Sequence, residues 1–310
     1  MTRSQDEHRP VAVMITTFRR HQLLAPLITA IRGEANTVAT TVRVVIVDND
    51  PCRSAEPTAI EHGADYVNEP HPGIGAARRA ALNAASDDEL VVMMDDDVFP
   101  ESGWLSGLVT TWERYRPTVV MGFVRYLWPE AADPWFAAGG FMRRDLHPTG
   151  TRLEALATGN VLLDTREVRR LGVNFDPAQG LSGGEDSLFG EALLRAGGTI
   201  VASADSVASD RVPVERANVA FVRRRTLAHG ASYVSIGLRD AVGARNVAMR
   251  VAAALGALVR ALVFYAMHVF GRMTGDLHRD AVGKRRFWFA LGRLRGAFGH
   301  RVAEYARSED

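Results

Sequence analysis

Three consecutive aspartates, Asp95, Asp96 and Asp97, close an apolar run at residues 90–94 and precede Val98-Phe99-Pro100. Adjacent carboxylates repel one another, and in a crevice they need a cation to offset that repulsion. Mg2+ or Mn2+ suits the task, because these hard ions prefer oxygen and take one or two carboxylates together with phosphate oxygens. An acidic surface turn is the bland alternative. A second segment, Pro72-Gly73-Ile74-Gly75-Ala76-Ala77-Arg78-Arg79, carries glycines into a helical pattern. Glycine permits close backbone approach, a helix N-terminus attracts phosphate, and Arg78 can add a two-pronged phosphate contact. An ordinary capped helix with exposed arginines would read the same way. Third, Glu185-Asp186 follow Gly183-Gly184 and open a helical pattern. Acidic residues there suit the helix dipole. A carboxylate beside a bound diphosphate could also accept a proton from an attacking hydroxyl.

Elements able to position these groups alternate between two periods. Residues 11–16 and 42–47 are short apolar runs, the first ending in Thr16-Thr17 and the second in Asp48-Asn49-Asp50-Pro51. Residues 64–68 and 90–94 continue the series as strands. Residues 21–32, 55–62 and 75–85 carry helical spacing between them, with Leu23, Leu24, Leu27, Ile28 and Ile31 on one face of the first. Alternating strands and helices predict a Rossmann-like, mostly parallel sheet with helices on both faces. Ligands of such sheets bind beyond the carboxyl ends of the strands. Thr16, Thr17, Asp48 and Asp95 to Asp97 all fall at those ends. Further along, helices are expected at 102–115 and 185–196, and strands at 119–126, 157–163 and 199–202. After Pro213 the pattern is helical to the end. The expected division is a catalytic domain over 1–212 and a helical region over 213–310.

Some nucleotide-binding designs are excluded by spacing. No G-x-x-x-x-G-K-[ST] loop is present, which removes a P-loop NTPase. The first strand-helix turn, Thr16-Thr17-Phe18-Arg19-Arg20, has no glycine, whereas a dinucleotide site needs G-x-G-x-x-G there.

The elements together resemble family 2 glycosyltransferases of the GT-A fold. The likeness rests on ordered motifs over about residues 10–240: Thr16 to Arg20, VVIVDND at 44–50, the glycine segment ending at Arg78, MMDDDVFP at 93–100, Pro100 with Trp104-Leu105, Thr158-Gly159-Asn160, and GGEDSLFGEALLRAGG at 183–198. The resemblance implies a nucleoside-diphosphate sugar donor, with UDP the default nucleotide, and a glycan or lipid-linked acceptor in cell-envelope or polysaccharide synthesis. It implies a donor site of Thr16, Thr17, Arg19, Asp48, Arg78, Asp95, Asp96, Gly159, Asn160 and Glu185, with Asp48 near the base. Asp95 and Asp97 would be the D-x-D pair beside Mg2+ or Mn2+, and Asp186 the catalytic base of a single inverting displacement. Two positions depart from the family: Arg79 stands where asparagine is common, and Ser209-Asp210 where many members carry histidine. The competing readings are a sugar-1-phosphate nucleotidyltransferase, which usually has a glycine-rich basic loop after its first strand, and a nucleic-acid-binding module, for which Arg285-Arg286-Phe287-Trp288-Phe289 offers interleaved bases and aromatics. The transferase reading expects no nucleic acid as partner.

Composition adds the setting. Hydrophobic residues make up 47 % of the 310, enough for a sizeable core. The single Cys52 and a polar start without an apolar signal core lead to a cytoplasmic expectation. Of the basic residues only Lys284 is lysine, which reads as coding bias. The net charge of +1 conceals a split: residues 1–210 carry 19 basic and 29 acidic side chains, and residues 211–310 carry 18 and 7. The basic third also holds two apolar stripes. Val251, Leu255, Val259, Leu262, Val263 and Phe270 share one helical face, opposite Arg250, His268 and Arg272. Phe287, Trp288, Leu291, Leu294, Phe298, Val302 and Tyr305 recur at the same spacing. Basic amphipathic helices lie on anionic membrane surfaces. Packing on the catalytic domain or in a homo-oligomer would use the same stripes. Arg260 in the middle of 251–270 argues against a spanning helix.

Overall fold

Val11–Thr17 (β1) is buried along its whole length, as a strand covered on both faces must be. Val42–Asp48 (β2), Asp65–Asn68 (β3) and Leu90–Asp95 (β4) run parallel to it in the order β3-β2-β1-β4. The register places Thr16 between Val47 and Asp95, and Thr17 beside Asp48. Leu24–Ala35 (α1), Glu56–Glu61 (α2) and Ile74–Ala84 (α3) return the chain between strands. Leu24, Leu27, Ile28 and Ile31 form the buried stripe of α1. On one face of the sheet, Ala77, Ala81 and Leu82 of α3 share a core with Met14, Val45, Val47, Val91 and Met93. The structure is a computed structural model and describes residues 9–300 apart from 88, 178–183 and 240.

Past β4 the sheet changes character. Val98–Pro100 (β5), Val119–Leu127 (β6), Asn160–Asp164 (β7) and Ile200–Arg211 (β8) complete, among the described residues, eight strands in the order β3-β2-β1-β4-β7-β6-β8-β5. β7 is antiparallel to both β4 and β6, and β5 is antiparallel to β8. The expectation of a mostly parallel sheet therefore holds for one half only. This reversal matters for the site. Asn160 opens β7 opposite Met94, so Thr158 and Gly159 arrive at the same end as Asp95. The strand expected from residue 157 starts at Asn160 because Gly159 has φ +100°. The last strand, expected at 199–202, runs on to Arg211. Its small residues give no apolar run, but buried Ser206, Ala208 and Asp210 alternate with more exposed neighbours. Trp104–Tyr115 (α4), Thr165–Arg170 (α6) and Glu185–Arg195 (α7) complete the helices of this unit; Phe189 of α7 stacks on Phe175 at 4.1 Å between ring centroids.

The chain divides into two units. The first comprises residues 1–125, 144–180 and 185–210, and the second 126–143, 181–184 and 211–310. Residues 126–143 fall in the second unit. They carry Pro134–Ala138 (α5), whose Trp135 meets Trp288 at 6.0 Å between centroids, with Phe141 at 5.9 Å from the same ring. Val219–Gly237 (α8), Gly243–Thr274 (α9) and Leu277–Ala297 (α10) form the body of this unit, and α10 packs against both others. Glycines set the close approach: a Cβ on Gly283 would strike the backbone of His268, and one on Gly292 the carbonyl of Leu227. The two apolar stripes fare differently. Trp288 of α10 is buried, and Phe287 and Leu291 pack around it with Phe136, Phe141 and Val222. That stripe is core around Trp288, whereas Phe298 at the end of α10 is 71 % exposed; Arg301, Val302 and Tyr305 lie outside the described residues. The stripe on α9 stays exposed.

Candidate active site

The first unit gathers its polar groups where β1, β2 and β4 end. Asp95, the last residue of β4, accepts from Thr16 Oγ1 at 3.3 Å and from Arg78 Nη2 at 3.0 Å. Arg78 rises from α3, is buried, and with its other nitrogen holds the Glu185 carboxylate at the start of α7. One guanidinium therefore joins two carboxylates that are far apart in sequence. The second oxygen of Glu185 is buried without a hydrogen-bond partner. Burial pushes the Glu185 carboxyl up to about 7, against the opposing pull of Arg78 and with the help of Asp186. Gly159 closes this corner: a Cβ there would lie 3.0 Å from Asp95 Oδ2. Its positive φ and its missing side chain are both required.

The three aspartates take different roles. Asp96 turns inward and accepts from Thr17 Oγ1 at 2.8 Å. Burial raises it to about 6, although Arg20 pulls it down. Asp95 and Asp97 on either side stay accessible, with side chains 32 % and 22 % exposed. Arg20 bridges Asp96 and Asp97 at 3.1 and 2.9 Å. Two reachable hard-oxygen donors flanking a withdrawn one fit a divalent cation that draws its other ligands from phosphate and water. Among the described residues no set of three or more His, Cys, Asp or Glu side chains makes a closed metal cage. Asp210, in register with Val98 on β5, is buried at the end of β8.

Other expected residues are spent on the fold. Asp48 is fully buried, and its carboxylate accepts from Asp50 N, Ala55 N and Tyr66 Oη at 3.0, 2.8 and 3.0 Å. Burial of the Tyr66 side chain, together with its hydrogen bond to Asp48, raises the Tyr66 phenol. Asn160 is likewise fully buried; it accepts from Trp104 Nε1 at 2.7 Å and donates to Phe123 O at 3.0 Å. The side chains of Asp48 and Asn160 therefore hold their strands and do not line the crevice. Arg19 takes φ 54°, is half exposed, and lies 3.6 Å from Asp50. Asp186 is half-buried in the first turn of α7, where it accepts from Ser187 N at 2.7 Å; Gly183 before it lies outside the described residues. Sequence reasoning missed two arginines. Arg20 stands beside an expected residue and could have been noticed. Arg144 gives no signal at all: its Nη2 donates to Thr158 O at 3.1 Å, and its Nη1 is buried without a partner, as is Thr158 Oγ1.

The first unit thus carries paired carboxylates at the end of the fourth strand of a half-parallel Rossmann-like sheet. Residues 12–157, a little under half of the chain, match the model of glycosyl transferase family 2. The succinoglycan biosynthesis protein ExoM of Rhizobium meliloti (strain 1021) is 29 % identical over 249 residues, 76 % of this chain and 78 % of that protein. A pre-mycofactocin glycosyltransferase of Mycobacterium tuberculosis is 32 % identical over 110 residues, which are 34 % of this chain and 22 % of its own. The structure resembles that of GalNAc-T7 with UDP, GalNAc and Mn2+ at a TM-score of 0.54 and 14 % identity, over 76 % of this chain and 52 % of that one. The fold is that of the GT-A glycosyltransferases.

Proposed function

We propose that this protein is a metal-dependent inverting glycosyltransferase. It moves a sugar from a nucleoside diphosphate, UDP by default, to a hydroxyl of a glycan or lipid-linked acceptor in polysaccharide or cell-envelope synthesis. The observation that carries this reading is the Asp95–Arg78–Glu185 chain, which ends in a buried carboxylate oxygen with no partner. A buried polar atom without a bond is costly unless a ligand completes it, and a sugar hydroxyl is a suitable donor. The unpartnered Nη1 of Arg144 beside Gly159 suits an anionic diphosphate in the same corner. Two names support the choice of substrate class: the relative from Rhizobium is a polysaccharide biosynthesis protein, and GalNAc-T7 holds UDP with Mn2+.

Thr16 and Arg78 fix Asp95 toward the donor, and Arg20 and Thr17 keep Asp96 withdrawn. Asp95 and Asp97 would hold Mg2+ or Mn2+. That ion, when bound, offsets charge on the departing diphosphate. Asp186 takes the proton of the acceptor hydroxyl as its oxygen attacks the anomeric carbon; the bond from that carbon to the diphosphate oxygen breaks and the configuration inverts. Asp48 and Asn160 contribute by holding β2 and β7 in place.

A thermal-shift panel tests the reading. UDP, GDP and dTDP, each with and without Mn2+, are added to the purified chain. One nucleotide should raise Tm in the presence of metal and lose that effect in excess chelator. Equal, metal-independent responses to all three would overturn it.

A further inference from the structure

The second unit leaves one surface unexplained. From Val247 to Met273 the outward side of α9 is apolar, and Leu255, Leu262 and Phe270 are 60, 65 and 52 % exposed. At 100° per residue Val247, Val251, Leu255, Leu258, Val259, Leu262, Val263, Val269, Phe270 and Met273 fall within an arc of about 160° that contains no charged residue. The opposite side is used up. Ala257, Ala261, His268 and Gly271 are buried against α10, and His268 pairs with Asp280 at 2.5 Å. Arg250 is turned toward the helix pair, donating to Asn246 and to Ala297 O. Of the polar face read from the sequence, Arg250 and His268 are thus intramolecular contacts and Arg272 stays exposed at the helix end; between Val247 and Met273 the outward arc is hydrocarbon.

Exposed apolar surface of this extent marks an interaction site. Charge decides between the occupants. Residues 211–310 hold 18 basic and 7 acidic side chains, and Arg245 and Arg272 are exposed near the two ends of α9. A second copy docked along α9 would bring two such basic regions together, whereas an anionic bilayer matches both the charge and the apolar arc. We infer that α9 seats the protein on an anionic lipid surface, lying in the plane of the interface with its outward arc among the upper acyl chains.

The helix is also long and apolar enough to cross a membrane by length and composition. Its packing opposes that. α10 lies against α9 and carries Asp280, Lys284, Arg286 and Arg293, which a spanning α9 would drag into hydrocarbon. In the interface, Arg260 stands about 60° outside the apolar arc, so its charged end can reach the headgroups. This inference is independent of the donor reading and goes beyond it: lipid attachment and nucleotide binding are separate measurements on separate units.

Flotation of the full chain with preformed vesicles tests it. The protein should float with vesicles of equal phosphatidylglycerol and phosphatidylcholine, and at least tenfold less with phosphatidylcholine alone or in 1 M salt. Leu255→Ser/Leu262→Ser/Phe270→Ser should abolish flotation while the melting curve and nucleotide response persist, since all three positions are exposed. Arg245→Glu/Arg272→Glu should weaken it without touching the apolar arc. On a Cys52→Ser background, Val242→Cys and Thr274→Cys should both react with an impermeant maleimide added outside. Failure of the wild type to float, undiminished flotation of the triple serine variant, or protection of one of the two cysteines would overturn the inference. So would a wild-type dimer that the serine variant converts to a monomer without any vesicle binding.

Discussion

β2 and β4 flank β1 in the same sheet, each ending on an aspartate, and the two carboxylates do opposite things. Asp48 is sealed: two backbone amides and the Tyr66 hydroxyl fill its oxygens. Asp95 is held by Thr16 and Arg78 and remains one-third exposed beside Asp97. Position at a strand end places a group near the crevice, but the partners it already has decide whether it can serve a ligand. Donors from the local turn make a structural carboxylate. Long side chains from other elements make one that can exchange partners when a ligand arrives.

The largest effect is expected from the open side of this pair. Asp97→Ala should lower sugar transfer by about 1,000-fold or more in saturating metal, the scale of lost electrostatic stabilisation; steady-state assays with and without chelator will show it. Asp186→Asn should lower turnover roughly 100-fold or more and leave donor affinity within a few-fold, because the shape is kept and the proton acceptor removed. Collapse of donor affinity with turnover preserved would make Asp186 a binding residue. On the sealed side, Asp48→Asn turns an amide NH2 toward donors, and unfolding should be easier by about 2 kcal/mol, read by denaturant titration. The smallest effect concerns Glu185. Its folded pKa, raised by burial to about 7, lies above the ordinary carboxylate value. The native state thus binds more protons than the unfolded chain between about pH 4.5 and 7. Stability from this group is full below that window and is lost as pH rises through it. Glu185→Gln should flatten the decline in Tm across the window; an unchanged slope would remove Glu185 as its source.

Much of the fold was legible because its parallel half is periodic. Residues 11–16, 42–47 and 90–94 are short, largely apolar, β-branched-rich runs bounded by turn residues, which suits buried strands, and the helical spacing of Leu24, Leu27, Ile28 and Ile31 fixed α1. The antiparallel half was legible in part: β6 and β7 follow strands expected at 119–126 and 157–163, but β8 runs on past residue 202 through a stretch rich in serine, alanine and aspartate whose burial depends on neighbours far along the chain. In the site, residue types at strand ends pointed to the crevice, and Thr16, Arg78, Asp95, Gly159 and Glu185 do come together. Direction was invisible: nothing local says that Asn160 turns toward Trp104 or that Arg78 reaches Glu185. The helical region shows the same limit. The stripes of α9 and α10 look alike as patterns, and only the aromatic cluster around Trp288 distinguishes the covered one.

The comparison of the two aspartates reduces to one calorimetric experiment. UDP is titrated, in the presence of Mn2+, into the wild type, Asp48→Asn and Asp97→Ala at a temperature where all three are folded. Affinity should fall at least tenfold in Asp97→Ala and stay within about threefold of wild type in Asp48→Asn. Undiminished binding by Asp97→Ala, together with loss of binding by Asp48→Asn, would contradict the account and move the donor site to the end of β2.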